Sequence, residues 1–248
     1  MTRRRWIADN WDDTRATLIG TQASHLARVL RAEIGMEFDI VAGDRVRRGV
    51  VAEVAESAVT LTLGEDLEAD PALPITLLLA IFKFDRMEWA IEKATELGVE
   101  RIIPTIARRT EKHLAQAATA RVDRWRRIAR EAAQQSRRSD IVVIEDPKPL
   151  KDALTDTATD APRELCILLA ERERSTTLRD AIECSNAESA ERGTQRIRLA
   201  VGPEGGWTPE EETLFAKEEW KPVTLGPRIL RAETAAIAAI SMVSALLD

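Results

Sequence analysis

Hydrophobic and polar positions change their period once along the chain, near residue 70. Before it, apolar residues come in short runs rich in β-branched side chains. Phe38-Asp-Ile-Val, Val50-Val-Ala-Glu-Val and Ala58-Val-Thr-Leu-Thr-Leu each predict a strand. Ala42-Gly-Asp marks a turn after the first of them. A helix is predicted over Thr21–Ala32, with Leu26, Val29 and Leu30 on one face and Thr21 or Ser24 as its cap. Residues 1–70 therefore read as a small β-rich unit. The acidic stretch from Gly64 to Pro74 carries two prolines and reads as a linker.

From Ile75 the pattern is that of larger, fully buried elements. Ile75-Thr-Leu-Leu-Leu-Ala-Ile-Phe is continuously apolar, as in a strand covered on both faces. Met87, Ala90, Ile91, Ala94 and Leu97 follow at helical spacing, stopped by Gly98. Further strands are predicted at 101–106, 141–144, 165–170, 197–201 and 222–225. Further helices are predicted at 118–138, 176–183, 209–217 and 232–247. Polar loops are expected at Asp156–Arg163 and Ser185–Thr194. Alternating strand and helix predicts an α/β domain on a parallel sheet over residues 71–248.

Composition narrows the possible chemistry. The 248 residues suffice for one large domain or two smaller ones, and 31% charged beside 44% hydrophobic is a globular balance. Two Cys, Cys166 and Cys184, exclude a disulfide framework, and with only two His no metal centre is expected. The absence of Tyr excludes phenol chemistry. The basic N-terminus is not followed by an apolar run. The longest uncharged apolar stretch, Thr234–Leu247, is shorter than the ~20 residues of a membrane span. A soluble cytoplasmic protein without a membrane partner is expected. A net charge of −6 argues against nucleic acid as a partner unless a local patch overrides it.

Three segments carry candidate chemistry. Val201-Gly-Pro-Glu-Gly-Gly-Trp-Thr-Pro-Glu-Glu is a glycine-rich turn between a strand and a helix. Thr208 is the expected N-cap, with Glu211 completing a capping box and Pro209 at the first helical position. No Lys-Ser/Thr follows the glycines, and Glu210, Glu211 and Glu212 would repel phosphate. The segment fits either a plain tight turn or a ligand loop that uses exposed backbone. Leu225-Gly-Pro-Arg-Ile-Leu-Arg-Ala-Glu-Thr-Ala places Arg228, Arg231 and Glu233 just before an apolar helix, with Thr234 as a possible cap. It also fits a charged helix entry with an Arg231–Glu233 surface pair. Arg121 to Arg138 holds seven Arg against Asp123 and Glu131. It reads as a solvated face or as an RNA-phosphate stripe around a buried Trp125. Lys83, Asp85 and Glu171 lie at predicted strand ends, where open α/β sheets bind ligands.

The paired segments Gly202-Pro-Glu-Gly-Gly206 and Leu225–Ala235 resemble those of the bacterial 16S rRNA uridine-N3 methyltransferases, a family of the SPOUT (trefoil-knot) methyltransferases. His25-Leu-Ala-Arg-Val-Leu-Arg31, Lys83-Phe-Asp-Arg-Met-Glu-Trp and Lys93–Val99 extend the resemblance over nearly the whole chain. Phe84 and Arg137 depart from it, each standing where a Gly is usual. The resemblance implies a PUA-like RNA-binding β-barrel over residues 1–70 and a knotted α/β domain over 71–248. It implies S-adenosylmethionine as donor, the 16S rRNA of the small ribosomal subunit as substrate, and a homodimer. It places Leu169, Ala170, Glu171, Gly202, Glu204, Gly206, Leu225, Ile229, Leu230 and Thr234 around the donor. Arg231, Glu233 and Arg228 become the candidate catalytic residues. Arg231 or Arg228 would stabilise the uridine anion, and Glu233 or Glu204 would take the N3 proton. Arg3, Arg4, Arg5, Arg28, Arg31, Lys83, Arg86, Arg109 and Arg138 become candidate RNA contacts. Two alternatives remain open at this level: methylation of another RNA atom such as a ribose 2′-hydroxyl, and a non-catalytic RNA-binding role in ribosome assembly.

Overall fold

The structure, a computed structural model, describes residues 5–55, 57–156, 164–188 and 195–247. Arg3, Arg4 and most of the two expected loops at 156–163 and 185–194 lie outside the described residues. The chain divides into two compact units. The first is Met1–Ala72 together with Arg130–Ile141, and the second is Leu73–Ala129 with Val142–Asp248. The segment Arg130–Ile141, which sequence alone assigns to the second domain, thus belongs to the first unit.

Six strands build the first unit: β1 (Arg5–Ile7), β2 (Asn10–Trp11), β3 (Arg15–Ile19), β4 (Glu37–Ala42), β5 (Arg45–Val54) and β6 (Ala58–Asp66). Their order is β1-β4-β5-β6-β3-β2, antiparallel except where β1 runs parallel to β4. Alternation sets the inner face. Ala16 and Leu18 of β3 and Val59, Leu61 and Leu63 of β6 are buried beside Trp6, Leu26 and Ile40. The predicted helix over Thr21–Ala32 forms as a short α1 (Gly20–Ser24) that widens into a π-helical turn, His25–Val29. That turn holds more residues per revolution, so Leu26 stays inside while Val29 swings out to 66% exposure. Neither Thr21 nor Ser24 caps the helix. Ile19 occupies the N-cap position without a side-chain bond, and Arg31 ends the segment at φ 51°. The expected linker is shorter than its composition suggests. Strand pairing takes up its first residues through Asp66, and Leu67 N–H still bonds the Val46 carbonyl at 2.8 Å.

The second unit is a parallel sheet of β7 (Leu73–Ala80), β8 (Val99–Ile106), β9 (Val143–Ile144), β10 (Lys148–Pro149), β11 (Glu164–Leu169), β12 (Arg196–Val201) and β13 (Lys221–Val223). Its order is β10-β8-β7-β12-β11-β13, with β9 also on β8. The helices are α2 (Phe84–Glu96), α3 (Lys112–Ala117), α4 (Val122–Ser136), whose residues from Arg130 on belong to the first unit, α5 (Leu150–Thr155), α6 (Leu178–Glu188), α7 (Pro209–Lys217) and α8 (Ala232–Leu247). Leu77, Leu78, Leu79 and Ala80 of the central β7 are fully buried, which explains its unbroken apolar run. The long helix expected over 118–138 is broken by a 3-10 turn at Thr119–Arg121 and ends at Ser136, before Arg137 at φ 60°. From β7 the path reaches β8 on one side, whereas β12 and β11 lie on the other. Loops at the carboxyl ends of strands around such a reversal are where open α/β sheets place ligands.

Candidate functional site

Loops leaving the carboxyl ends of β11, β12 and β13 enclose a cavity of about 420 Å³ within the second unit. That is within the ~300–1,000 Å³ range of small-molecule sites. After β12, Gly206 N–H bonds the Pro203 carbonyl at 2.8 Å, and Gly206 sits at φ 67°, where an L side chain is strained. A β-carbon on Gly202 would stand 3.1 Å from Trp207 Nε1, so the backbone there runs against a buried indole. The predicted capping box closes the loop. Glu211 N–H donates to Thr208 Oγ1 at 3.3 Å, and Thr208 N–H donates to Glu211 Oε2 at 2.9 Å. The other Glu211 oxygen accepts Arg108 N–H at 2.7 Å, so this 3%-exposed carboxylate ties the segment after β8 to the start of α7.

The loop after β13 turns at Gly226, φ 114°, where Thr224 Oγ1 bonds both the Gly226 N–H and its carbonyl at 3.1 Å. It presents Leu225, Ile229 and Leu230 to the cavity, with Arg228 and Arg231 beside them. Neither arginine has a carboxylate partner among the described residues. β11 ends at Leu169 and is followed by Ala170 and Glu171, then Arg172 and Arg174, which the sequence did not single out although they follow a strand end directly. Glu173 shapes this loop. It accepts hydrogen bonds from Ser175 Oγ and from the Ser175 and Thr176 N–H groups, which hold its pKa down at about 2. Glu171, Glu204 and Glu212 supply the negative charge of the lining.

Glu233 lies in the first turn of α8 at 6% exposure. One of its oxygens is 3.8 Å from Arg86 Nε, and Oε2 has no hydrogen-bond partner among the described residues. The Arg231–Glu233 surface pair therefore does not form, because burial at the helix start turns Glu233 toward Arg86. Thr234 is not a cap: α8 begins at Ala232, which leaves Thr234 inside the first turn, exposed and away from the cavity lining. Arg86 and Arg109 line the cavity, but Arg109 donates to the carbonyls of Gly205 and Trp207 and so braces the glycine loop. Arg138 is buried at 8% against Asp140, which argues against direct phosphate contact. Arg5 donates to the Arg137 carbonyl, whereas Arg28, Arg31 and Lys83 are exposed.

The arginine-rich helix is largely neutralised. Arg124 and Arg121 meet Glu88, Arg126 meets Asp146, Arg130 meets Asp9 and Arg138 meets Asp140. Only Arg127 and Arg137 of the seven lack a carboxylate partner among the described residues. Trp125 is fully buried, edge-on to Phe84 at 6.0 Å.

The RNA methyltransferase domain profile matches residues 69–244. A Synechocystis protein named ribosomal RNA small subunit methyltransferase E is 34% identical over 94% of this chain and 73% of its own length. Its namesake in Mycobacterium bovis is 31% identical over 99% of this chain and 93% of its own length. The chain belongs to the ribosomal RNA small subunit methyltransferase E family. It is accordingly an RNA methyltransferase. The crystal structure of the family's Neisseria gonorrhoeae member, bound to S-adenosyl methionine, superposes with a TM-score of 0.82 at 27% identity, covering 99% of this chain and 98% of that one. Among the described residues, no helix is long and apolar enough to cross a membrane.

Proposed function

We propose that this chain transfers a methyl group from S-adenosylmethionine to N3 of a specific uridine in the 16S rRNA of the small ribosomal subunit. It would act in the cytoplasm as a homodimer whose second unit is a trefoil-knot (SPOUT) domain and whose first unit is a PUA-like RNA-binding barrel. One observation carries this reading most: the loops at 169–174, 202–207 and 225–231, far apart in sequence, converge on one cavity.

The lining suits this donor. Leu169, Leu225, Ile229 and Leu230 offer apolar surface for an adenine ring. Glu171, Glu204 and Glu212 offer carboxylates to the sulfonium and amine of the donor, while Arg86, Arg109, Arg172, Arg174, Arg228 and Arg231 supply positive charge for the RNA. Gly202 and Gly206 let backbone approach closely. Bound S-adenosylmethionine supplies an electrophilic methyl group on a sulfonium. The chain must prepare the nucleophile, because uridine N3 carries a proton and its anion spreads onto O2 and O4. Arg231 and Arg228, at the cavity and without carboxylate partners among the described residues, would stabilise that anion. Of the two candidate proton acceptors, Glu204 lines the cavity but is exposed, whereas Glu233 is outside the lining, buried against the lining residue Arg86 with Oε2 unpartnered among the described residues. We assign the proton to Glu233.

The test is methyl transfer from labelled S-adenosylmethionine to small subunits from a strain lacking the enzyme, followed by nucleoside analysis. 3-Methyluridine is expected. A 2′-O-methylated nucleoside would move the target to the ribose. Failure of both transfer and donor binding would favour a non-catalytic RNA-binding role.

A further inference from the structure

A second cleft lies wholly within the first unit and shares no lining residue with the methyl-transfer cavity. It has a volume of about 470 Å³ and is lined by Arg5, Trp6, His25, Glu131, Gln134, Gln135 and Arg137. Several irregularities of the backbone meet there. His25 opens the π-helical turn, and π turns concentrate at functional positions. Arg137 occupies the left-handed region at φ 60°, a conformation that costs free energy for any residue with a β-carbon. The frame around it is fixed. Arg5 donates to the Arg137 carbonyl, Gln134 donates to Gln22, and the His25 ring stands edge-on to the buried Trp6 at 5.7 Å. The exposed Arg137 guanidinium and Gln135 amide are left with no hydrogen-bond or ion-pair partner among the described residues.

We propose that this cleft holds one unpaired nucleotide of the RNA substrate, with Arg137 on its phosphate and Gln135 and the Trp6–His25 wall against its base. The assignment rests on the reading of the chain as an RNA methyltransferase. A lone phosphate fits less well, because the Glu131 carboxylate is part of the lining and the amides and rings would have no role. A base offers donor, acceptor and π face together, which is how proteins read splayed single-stranded RNA.

The test uses the full chain and a fluorescently labelled single-stranded RNA carrying the target region of the 16S rRNA. Binding anisotropy is measured across a salt series. Arg137→Gly should melt no lower than wild type, since strain is removed, yet bind about tenfold more weakly, as loss of a charge-assisted phosphate contact implies. Its log–log salt slope should fall by about one. Gln135→Ala should weaken binding with the slope retained. Calorimetry should find donor binding unchanged in both. Wild-type affinity and slope in both variants would overturn the cleft while leaving the enzymatic reading intact. A wild-type chain that binds no RNA and transfers no methyl would overturn both.

Discussion

The cavity rim and the helix α4 region are both rich in arginine and use it in opposite ways. On α4 and the residues flanking it, Glu88, Asp146, Asp9 and Asp140 reach five of the seven arginines. At the cavity, Arg228 and Arg231 stand on a loop with no carboxylate partner among the described residues, although Glu233 is only two positions away. A run of positive charge in sequence therefore says little about available charge. What decides is whether acids on neighbouring elements face the run. The negative charge of the whole chain and its action on RNA are compatible on this basis, since a few unpaired arginines at the right loops suffice.

The contrast can be broken by mutation, and the largest effect belongs to the rim. Arg231→Ala should lower methyl transfer by about 10³-fold, as removal of an oxyanion-type donor does. As an exposed residue it should change stability by no more than about 0.5 kcal/mol, read from denaturant melts. Glu233→Gln keeps the shape of the helix entry but removes the proton acceptor. Single-turnover rates should fall by about 10²-fold. Its rate should recover at high pH, where N3 loses its proton without help, and a wild-type rate at neutral pH would remove Glu233 from that role. Gly206→Ala forces a β-carbon into φ 67° and toward Glu171, so calorimetry should show donor affinity about tenfold weaker. Glu173 gives a smaller, pH-dependent effect. Its pKa is lowered from the ordinary 4.5 to about 2 by the Ser175 and Thr176 hydrogen bonds. Its contribution is therefore complete above pH 4.5 and is lost as pH falls through about 2. Glu173→Gln should flatten acid unfolding in that window, and an unchanged acid limb would show that the loop does not depend on this carboxylate.

Much of the second unit was legible because its signals are local. Continuous apolar runs marked β7, β11 and β12, and the Thr208–Glu211 box and the ends of α7 and α8 followed from capping and apolar pattern. The two-residue strands β9 and β10 and the short α5 carry too few positions to establish a period. The π-helical turn that expels Val29 leaves no mark in the pattern of Leu26, Val29 and Leu30. Most of the cavity loops were found through their glycines and strand ends. The partners that decide the fate of each arginine were not, because they lie far off in sequence. Arg109 is held by carbonyls at Gly205 and Trp207, and Arg130 by Asp9. Arg138 differs: its partner Asp140 is two residues away, and only the packing shows that the pair is buried.

The most direct test places one arginine of each kind side by side. Arg124→Ala removes a guanidinium already held by Glu88 at 2.6 Å, an exposed pair whose loss costs about 0–1 kcal/mol. Single-turnover methyl transfer to the same small subunits should run at close to the wild-type rate in Arg124→Ala and at about a thousandth of it in Arg231→Ala. Equal losses in the two variants, or a full rate in Arg231→Ala, would contradict the assignment of the reaction to the cavity and its unpaired arginines.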